Sequence, residues 1–416
     1  MKKTLITFCA LAMTLFAVAQ GPAATLDGKY PEGYMNAIIS AVPSLGIGAD
    51  ATGGALADMG VATSADINSQ FWNSSKYAQM KSIGGFTFNY SPWLTNLGVK
   101  DVHLVSAAGY YNISPMAGAV SASLRFFSLG QVTLRENIDD LGYQVTPAEL
   151  AFDLGYSRML AENFSMGVVL RLVYSDLSAK NDENYKAGYA FAADINGYYN
   201  LPIDNKRGTD YFRFGFNIQN LGTKISYDGG NTKNFLPLTL RLGFSYQVAF
   251  DKYNRMSFHA EANRMMVPSR KSRYTKNYDP KNEDTWAMSQ DQYNKMSVMQ
   301  GLAYSWADAP YGAKEEMSEF NFGLGAEYSY NEQFFARFGY NNEAKIKGNR
   351  KYFTFGAGFQ LSGFKLDVGY VIGISQNNPL NNTLKFSLGF DVDGLKQLAD
   401  AGSEKRAEKE ASETAW

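Results

Sequence analysis

The sequence predicts an all-β protein, a transmembrane antiparallel β-barrel of about 14 strands with an N-terminal plug segment. Three observations point to it. Segments of roughly ten residues recur along the chain, each alternating apolar with polar or small side chains. The gaps between them alternate short and long, as in barrels with tight turns at one rim and loops at the other. An export signal precedes them all. Residues 164–174 show the alternation best. Phe164, Met166, Val168, Leu170, Leu172 and Tyr174 share one face, and Ser165, Gly167, Val169, Arg171 and Val173 share the other. Successive side chains of a strand point to opposite sides, so one face is greasy and the other carries Gly, Ser and an arginine. A soluble sandwich alternates too; the repetition behind an export signal favours the membrane barrel.

The signal spans residues 1–20. Lys2 and Lys3 are its charged start, Leu5 to Val18 its apolar stretch, and Ala17-Val18-Ala19 an A-x-A cleavage site. That stretch is too short to anchor a helix across ~30 Å of hydrocarbon. The sole cysteine, Cys9, leaves with it, so the mature chain has no disulfide or thiol nucleophile.

Residues 21–81 do not alternate and are rich in glycine and other small residues. They end on Phe71, Trp72 and Asn73, followed by Ser74, Ser75, Lys76 and Tyr77. A wide barrel otherwise leaves an open channel, so this segment is expected to fold into the barrel as a plug. Phe71, Trp72 and Tyr77 would pack it on the wall or line an apolar site.

The barrel is expected over 82–392. Strands are read at 82–91, 100–112, 115–127, 149–159, 163–176, 187–200, 210–219, 236–250, 253–265, 320–331, 334–341, 351–361, 363–373 and 383–391. The count is even, as in bacterial single-chain barrels. Short gaps such as Ala161-Glu162-Asn163 and Ser362-Gly363 are turn formers, with 200–209 a longer exception. Long gaps fall at 128–148, 177–186, 220–235, 266–319, 342–350 and 374–382. Short turns inside and long loops outside put both termini in the periplasm and the barrel in the cell outer membrane. Opposite the apolar rows lie Arg125, Asp153, Arg171, Asp194, Arg241, Glu261, Glu327, Arg337, Lys365, Asp367 and Lys385. An Arg or Lys facing lipid at mid-bilayer costs ~2–4 kcal/mol, so these point into the lumen. Both signs are present, which favours mutual pairing over an ion filter.

The loop at 266–319 is the expected recognition surface. Trp286, Tyr293, Tyr304, Trp306 and Tyr311 are aromatic anchors of the kind interfaces favour. Folding over the barrel mouth as a lid is the compatible alternative. Its seven basic and eight acidic residues nearly cancel, so net charge does not steer a partner. Residues 393–416 read as a charged periplasmic tail.

Composition narrows the function. With 39 basic and 40 acidic residues the net charge is −1, which gives no footprint for nucleic acid. No apolar run beyond the signal is long enough for a membrane helix. The 39 Gly, 27 Tyr and 28 Phe fit a barrel with aromatic girdles. Two distant histidines, His103 and His259, and scattered carboxylates offer no metal site, and no cofactor motif is present. Ser257, His259 and Glu261 share a strand face, but residues two apart are ~6–7 Å from one another, too far for a hydrogen-bonded triad. No catalytic residue is assigned.

One ordered set of motifs is specific. Ser40-Ala41-Val42-Pro43-Ser44-Leu45 leads into Asp50-Ala51-Thr52-Gly53-Gly54-Ala55, then Gly60-Val61-Ala62-Thr63-Ser64-Ala65-Asp66, Asn68-Ser69-Gln70 and Trp72-Asn73. About forty residues thereby resemble the PorV family of type IX secretion outer-membrane proteins of Bacteroidota. That family is similar in turn to the fourteen-stranded, plugged FadL fatty-acid channels. The family's W-N-P-A reads Trp72-Asn73-Ser74-Ser75 here, and its Met-Gly reads Leu56-Ala57. The resemblance implies a protein that takes the C-terminal signal domain of exported cargo from the translocon to a cell-surface sortase and attachment complex. Outer-membrane lipid or lipopolysaccharide is a further implied contact. It leaves two alternatives, a channel for hydrophobic small molecules and a lipid A O-deacylase, since PorV-like chains also carry that name.

Overall fold

Fourteen antiparallel strands close into one barrel in the computed structural model, each paired with its neighbours in sequence and the last with the first. The structure describes residues 30–94, 101–134, 142–177, 185–374, 380–400 and 403. The expected export signal and most of the expected tail lie outside them. The strands are β1 (Gly84–Pro92), β2 (Val102–Ser114), β3 (Gly118–Leu129), β4 (Ala148–Ala161), β5 (Phe164–Asp176), β6 (Gly188–Asn205) and β7 (Gly208–Gly222). They continue as β8 (Thr239–Ala249), β9 (Asn254–Met265), β10 (Phe320–Tyr330), β11 (Phe334–Asn342), β12 (Lys351–Leu361), β13 (Phe364–Gly373) and β14 (Thr383–Asp391). Among the described residues no helix is long and apolar enough to cross a membrane.

Two details differ from the sequence reading. The gap expected at 200–209 is a turn of two residues, Lys206 and Arg207, because β6 and β7 continue as a hairpin beyond the rim. Pro202 lies within β6, where proline lacks the donor a ladder needs. It is tolerated because β5 pairs with β6 no further than Tyr199, so beyond the Asn200 N–H bond to Asn163 nothing on that side asks for a donor. The gap 128–148 also holds a small hairpin, Val132–Leu134 with Tyr143–Val145.

The two faces of the wall separate by chemistry. Leu154, Leu170, Phe191 and Leu324 are exposed on the outer face, where lipid would cover them. The opposite rows are buried, and they carry Asp153, Arg171 and Asp194.

What buries them is the chain ahead of β1. Residues 43–79 fold into short helical turns inside the barrel, the longest being α1 (Ala51–Ala55) and the 3₁₀ stretch Ser74–Gln79. Asp50 caps α1 by accepting from Gly53 N at 2.8 Å and also accepts from Trp72 Nε1. Gly53 faces the Trp72 indole so closely that a methyl group there would overlap the ring. Ile67 meets the seam between β1 and β14, where its side chain occupies the space a Cβ on Gly389 would take.

Candidate functional site

The inner wall is a set of ion pairs. Arg171 bridges Asp153 and Asp194 at 2.7 and 3.0 Å, which ties β4, β5 and β6 together. Arg337 bridges Glu327 and Asp367, both at 2.6 Å. Lys365 reaches Asp66 and Lys385 reaches Asp58, so two further pairs join the wall to the inner segment. Each cation expected in the lumen is buried or nearly so; Arg171, Arg241 and Arg337 meet carboxylates of other strands, Lys365 and Lys385 those of the inner segment.

Other wall groups hold the inner segment by its backbone. Glu261 accepts from the N–H groups of Gly60 and Val61 at 3.0 and 3.1 Å while Arg241 donates to its other oxygen at 3.0 Å. Arg125 donates to the carbonyls of Ser44 and Ile47, and its guanidinium lies 5.5 Å from the Phe71 ring centre. Arg241 sits likewise over Trp72 at 5.2 Å. Asn217 and Gln219 donate to the carbonyls of Trp72 and Phe71. Asn73 donates to Val61 O and Gly197 O, and its carbonyl accepts from Ser75 N to start the following turn. Of the residues singled out in the sequence, Phe71 and Trp72 meet Arg125 and Arg241, while Arg171, and Arg337 with Glu327, belong to the wall ion pairs. Phe71 and Trp72 are packed, 4% and 3% exposed, so they do not line an open apolar chamber.

The loop between β9 and β10 is a folded unit. It contains α2 (Gln290–Lys295), α3 (Val298–Tyr304) and α4 (Ala313–Met317). Ser289 with Gln292 and Ser297 with Gln300 form capping boxes that start the first two helices. Trp286 is buried among Tyr34, Ile346 and Tyr311, and Tyr293 among Phe235, Met266 and Met288. Trp286 and Tyr293 thus hold the loop to itself and to the N-terminal segment. Trp306 lies under the Arg264 guanidinium, 4.4 Å from it, and is half-buried with Tyr311. Tyr304 is exposed and stacks on Tyr274 at 4.4 Å. The stretch preceding residue 43 was expected in the plug; its Tyr34 and Asn36 instead meet Glu315 of this loop.

Beneath the helices lies a buried knot of charge. Arg264 binds Glu316 and Glu319, and Lys347 binds Glu315 and Glu319 at 2.8 and 2.9 Å. Asp308, Glu316 and Glu319 bring carboxylate oxygens within 4.8 Å of one another. Arg264 and Lys347 pair with Glu316 and Glu319 of this group, while Asp308 accepts from the Ser269 N–H at 2.6 Å and its Oδ1 has no partner among the described residues. Burial and the charge of Glu319 raise Glu316 to about 7 and push Asp308 well above the usual carboxylate range. Glu319 and Glu315 outweigh burial at Lys347 and hold its ammonium above the ordinary lysine value.

Ser257, His259 and Glu261 do not connect. Both oxygens of Glu261 serve Arg241 and the inner segment. His259 has no hydrogen-bond partner on either nitrogen among the described residues.

The family model described as type IX secretion system protein PorV matches residues 31–272, more than half of the chain. No curated protein sequence matches it. Among solved structures, the chain is similar to the Ralstonia pickettii toluene transporter TbuX at 11% identity, covering 82% of this chain and 97% of that one, with a TM-score of 0.43. It is similar to a Pseudomonas aeruginosa FadL homologue at 12% identity, covering 86% and 99%, with a TM-score of 0.43. The Pseudomonas putida toluene transporter TodX stands at 11% identity, 81% and 96% coverage and a TM-score of 0.44.

Proposed function

Since the chain belongs to the PorV family of type IX secretion system proteins, an outer-membrane β-barrel family, we propose that it is a non-enzymatic carrier for secreted cargo. It holds the C-terminal signal domain of a cargo protein at its outer surface and passes it from the translocon to a sortase and attachment complex. The long loops face the outside and both termini the periplasm. The signal at 1–20 is removed, residues 43–81 supply the plug while the stretch before them joins the outer loop, and residues 393–416 form a periplasmic tail. Binding is non-covalent throughout.

The observation that carries this reading is the 266–319 loop. It has its own core, yet leaves Tyr274, Met299, Tyr304 and Met317 exposed by 41%, 63%, 37% and 53%. Large apolar side chains on a structured outer loop suit a protein partner. Tyr304 is the anchor best placed for contact, with Trp306 and Tyr311 at its margin. A hydrophobic-solute channel is less well supported, because the lumen is packed by a segment bonded to charged wall residues. A deacylase is less well supported still, because the Ser257, His259 and Glu261 trio is unconnected.

The test is a mild-detergent pull-down of the tagged protein from its native outer membrane, read by mass spectrometry. Recovery of a sortase-like protein and of secreted proteins sharing a C-terminal domain is expected, and Y304D/M299D should lose them while the barrel stays folded. Recovery of the barrel alone with bound lipid would overturn the carrier reading and favour the channel.

A further inference from the structure

Arg213, Ser245 and His259 stand on β7, β8 and β9, and the register sets them level. Ser245 is paired with Arg213 on one side and with His259 on the other. Adjacent strands are ~4.8 Å apart, so the three inward side chains form a straight row about 10 Å long. All are buried, at 5%, 0% and 6% exposure. Each nevertheless has polar atoms without a hydrogen-bond partner among the described residues: Arg213 Nη1, Ser245 Oγ and both ring nitrogens of His259. Leaving one such group unsatisfied costs about 1–3 kcal/mol. Three in adjoining positions call for an explanation.

Arg213 also differs from the carboxylate-bound arginines of the lumen, and from Arg125, whose donors go to backbone carbonyls of the inner segment. Arg171, Arg241 and Arg337 each bind carboxylates. The Arg213 guanidinium donates instead to two neutral amides, Asn200 Oδ1 at 3.1 Å and Gln247 Oε1 at 2.7 Å, and lies over Tyr211. Its orientation is fixed while its charge has no acidic partner among the described residues. Arg213 and His259 line a cavity of about 530 Å³ beneath the inner segment, on the side of the short turns. Arg337 and Lys365, the other buried cations of that wall, are already paired.

We propose that this row binds a carboxylate group, carried by a small solute or by the C-terminus of a peptide, which enters through the short-turn mouth. Arg213 Nη1 supplies the charge and two N–H donors. One His259 ring N–H donates beside it, and Ser245 stands between the two on the wall. Arg213 brings one buried positive charge with no acidic partner among the described residues, which suits a monoanion; Lys81 and the carboxylates of Asp66, Glu327, Glu332 and Asp391 also line the cavity. The site is independent of the cargo surface on the outer loop, at the opposite rim of the barrel.

The chain has two histidines, so ring-labelled full-length protein in micelles gives two sets of imidazole signals, and His103 on β2 serves as the internal control. The probes are sodium acetate against sodium chloride at constant pH and ionic strength, and a short peptide with a free C-terminus against the same peptide amidated. A saturable shift of His259 alone is expected with acetate and not with chloride. A response to the free-terminus peptide as well supports a chain end as the source, and a response to acetate only supports a small solute. R213Q should weaken binding about tenfold or more, the range of a charge-assisted bond. R213K, which keeps the charge, should retain part of it, with folding of both checked by mobility on unheated gels. An unmoved His259 with both carboxylate probes, or wild-type binding by folded R213Q, overturns the proposal.

Discussion

Replacing Arg171 with methionine tests whether the lumen charges hold the barrel together. All five N–H donors of Arg171 are used. Nε and Nη2 bind the two oxygens of Asp153 at 2.7 and 2.9 Å, Nη1 and Nη2 bind Asp194, both at 3.0 Å, and Nη1 also reaches Asn220. Methionine fills much of the same volume but leaves two carboxylates uncompensated, with side-chain exposures of 7% and 1%. Asp153 then keeps the Ser123 hydroxyl and Asp194 the Asn220 N–H. Breaking a buried pair in this way costs about 3–5 kcal/mol. The triple variant R171M/D153N/D194N removes the charges together and should regain most of the loss. The assay is urea unfolding in lipid vesicles, followed by tryptophan fluorescence and unheated-gel mobility. A loss below about 1 kcal/mol for R171M, or a triple variant no more stable than the single one, would refute the reasoning.

Three further outcomes follow from the geometry. G53A gains about 1 kcal/mol in helix propensity, yet its methyl group meets the Trp72 indole; a net loss of about 1–3 kcal/mol is expected. G53A/W72F should lose less than the sum of the two single variants in a thermodynamic cycle. Glu316, raised to about 7 from an ordinary 4.5, binds protons better folded than unfolded. The outer loop should therefore be most protected from hydrogen exchange near pH 5 and lose protection as pH rises through 7, while E316Q flattens that dependence. K347M should loosen the loop at all pH values by leaving Glu315 and Glu319 without their shared ammonium, seen as faster proteolysis at 266–319.

The barrel was legible because its information is local. Alternation along 164–174 reads without knowing any neighbour, and an arginine such as Arg171 opposite a leucine row can face only inward. Pro202 misled because its effect depends on where β5 stops pairing, which the sequence of β6 does not contain. Trp286 and Tyr304 look alike on a loop; which one is buried depends on Tyr34 and Ile346, far away in the chain. Arg213, Ser245 and His259 were missed for the same reason. They lie 32 and 14 residues apart in sequence and become a row only through the register of three strands. An inward arginine was the available signal, and telling that Arg213, unlike Arg171, meets neutral amides and not carboxylates required knowing its neighbours.

Ile67 at the seam has a consequence for the closed state of the wall. The contact between the first and last strands lies beside a side chain from the segment ahead of β1. Zipping β14 onto β1 with that side chain elsewhere would leave a gap next to Gly389 and take Asp58 and Asp66 away from Lys385 and Lys365. The seated segment and the closed cylinder therefore support one another, and a change that unseats the first weakens the seam of the second.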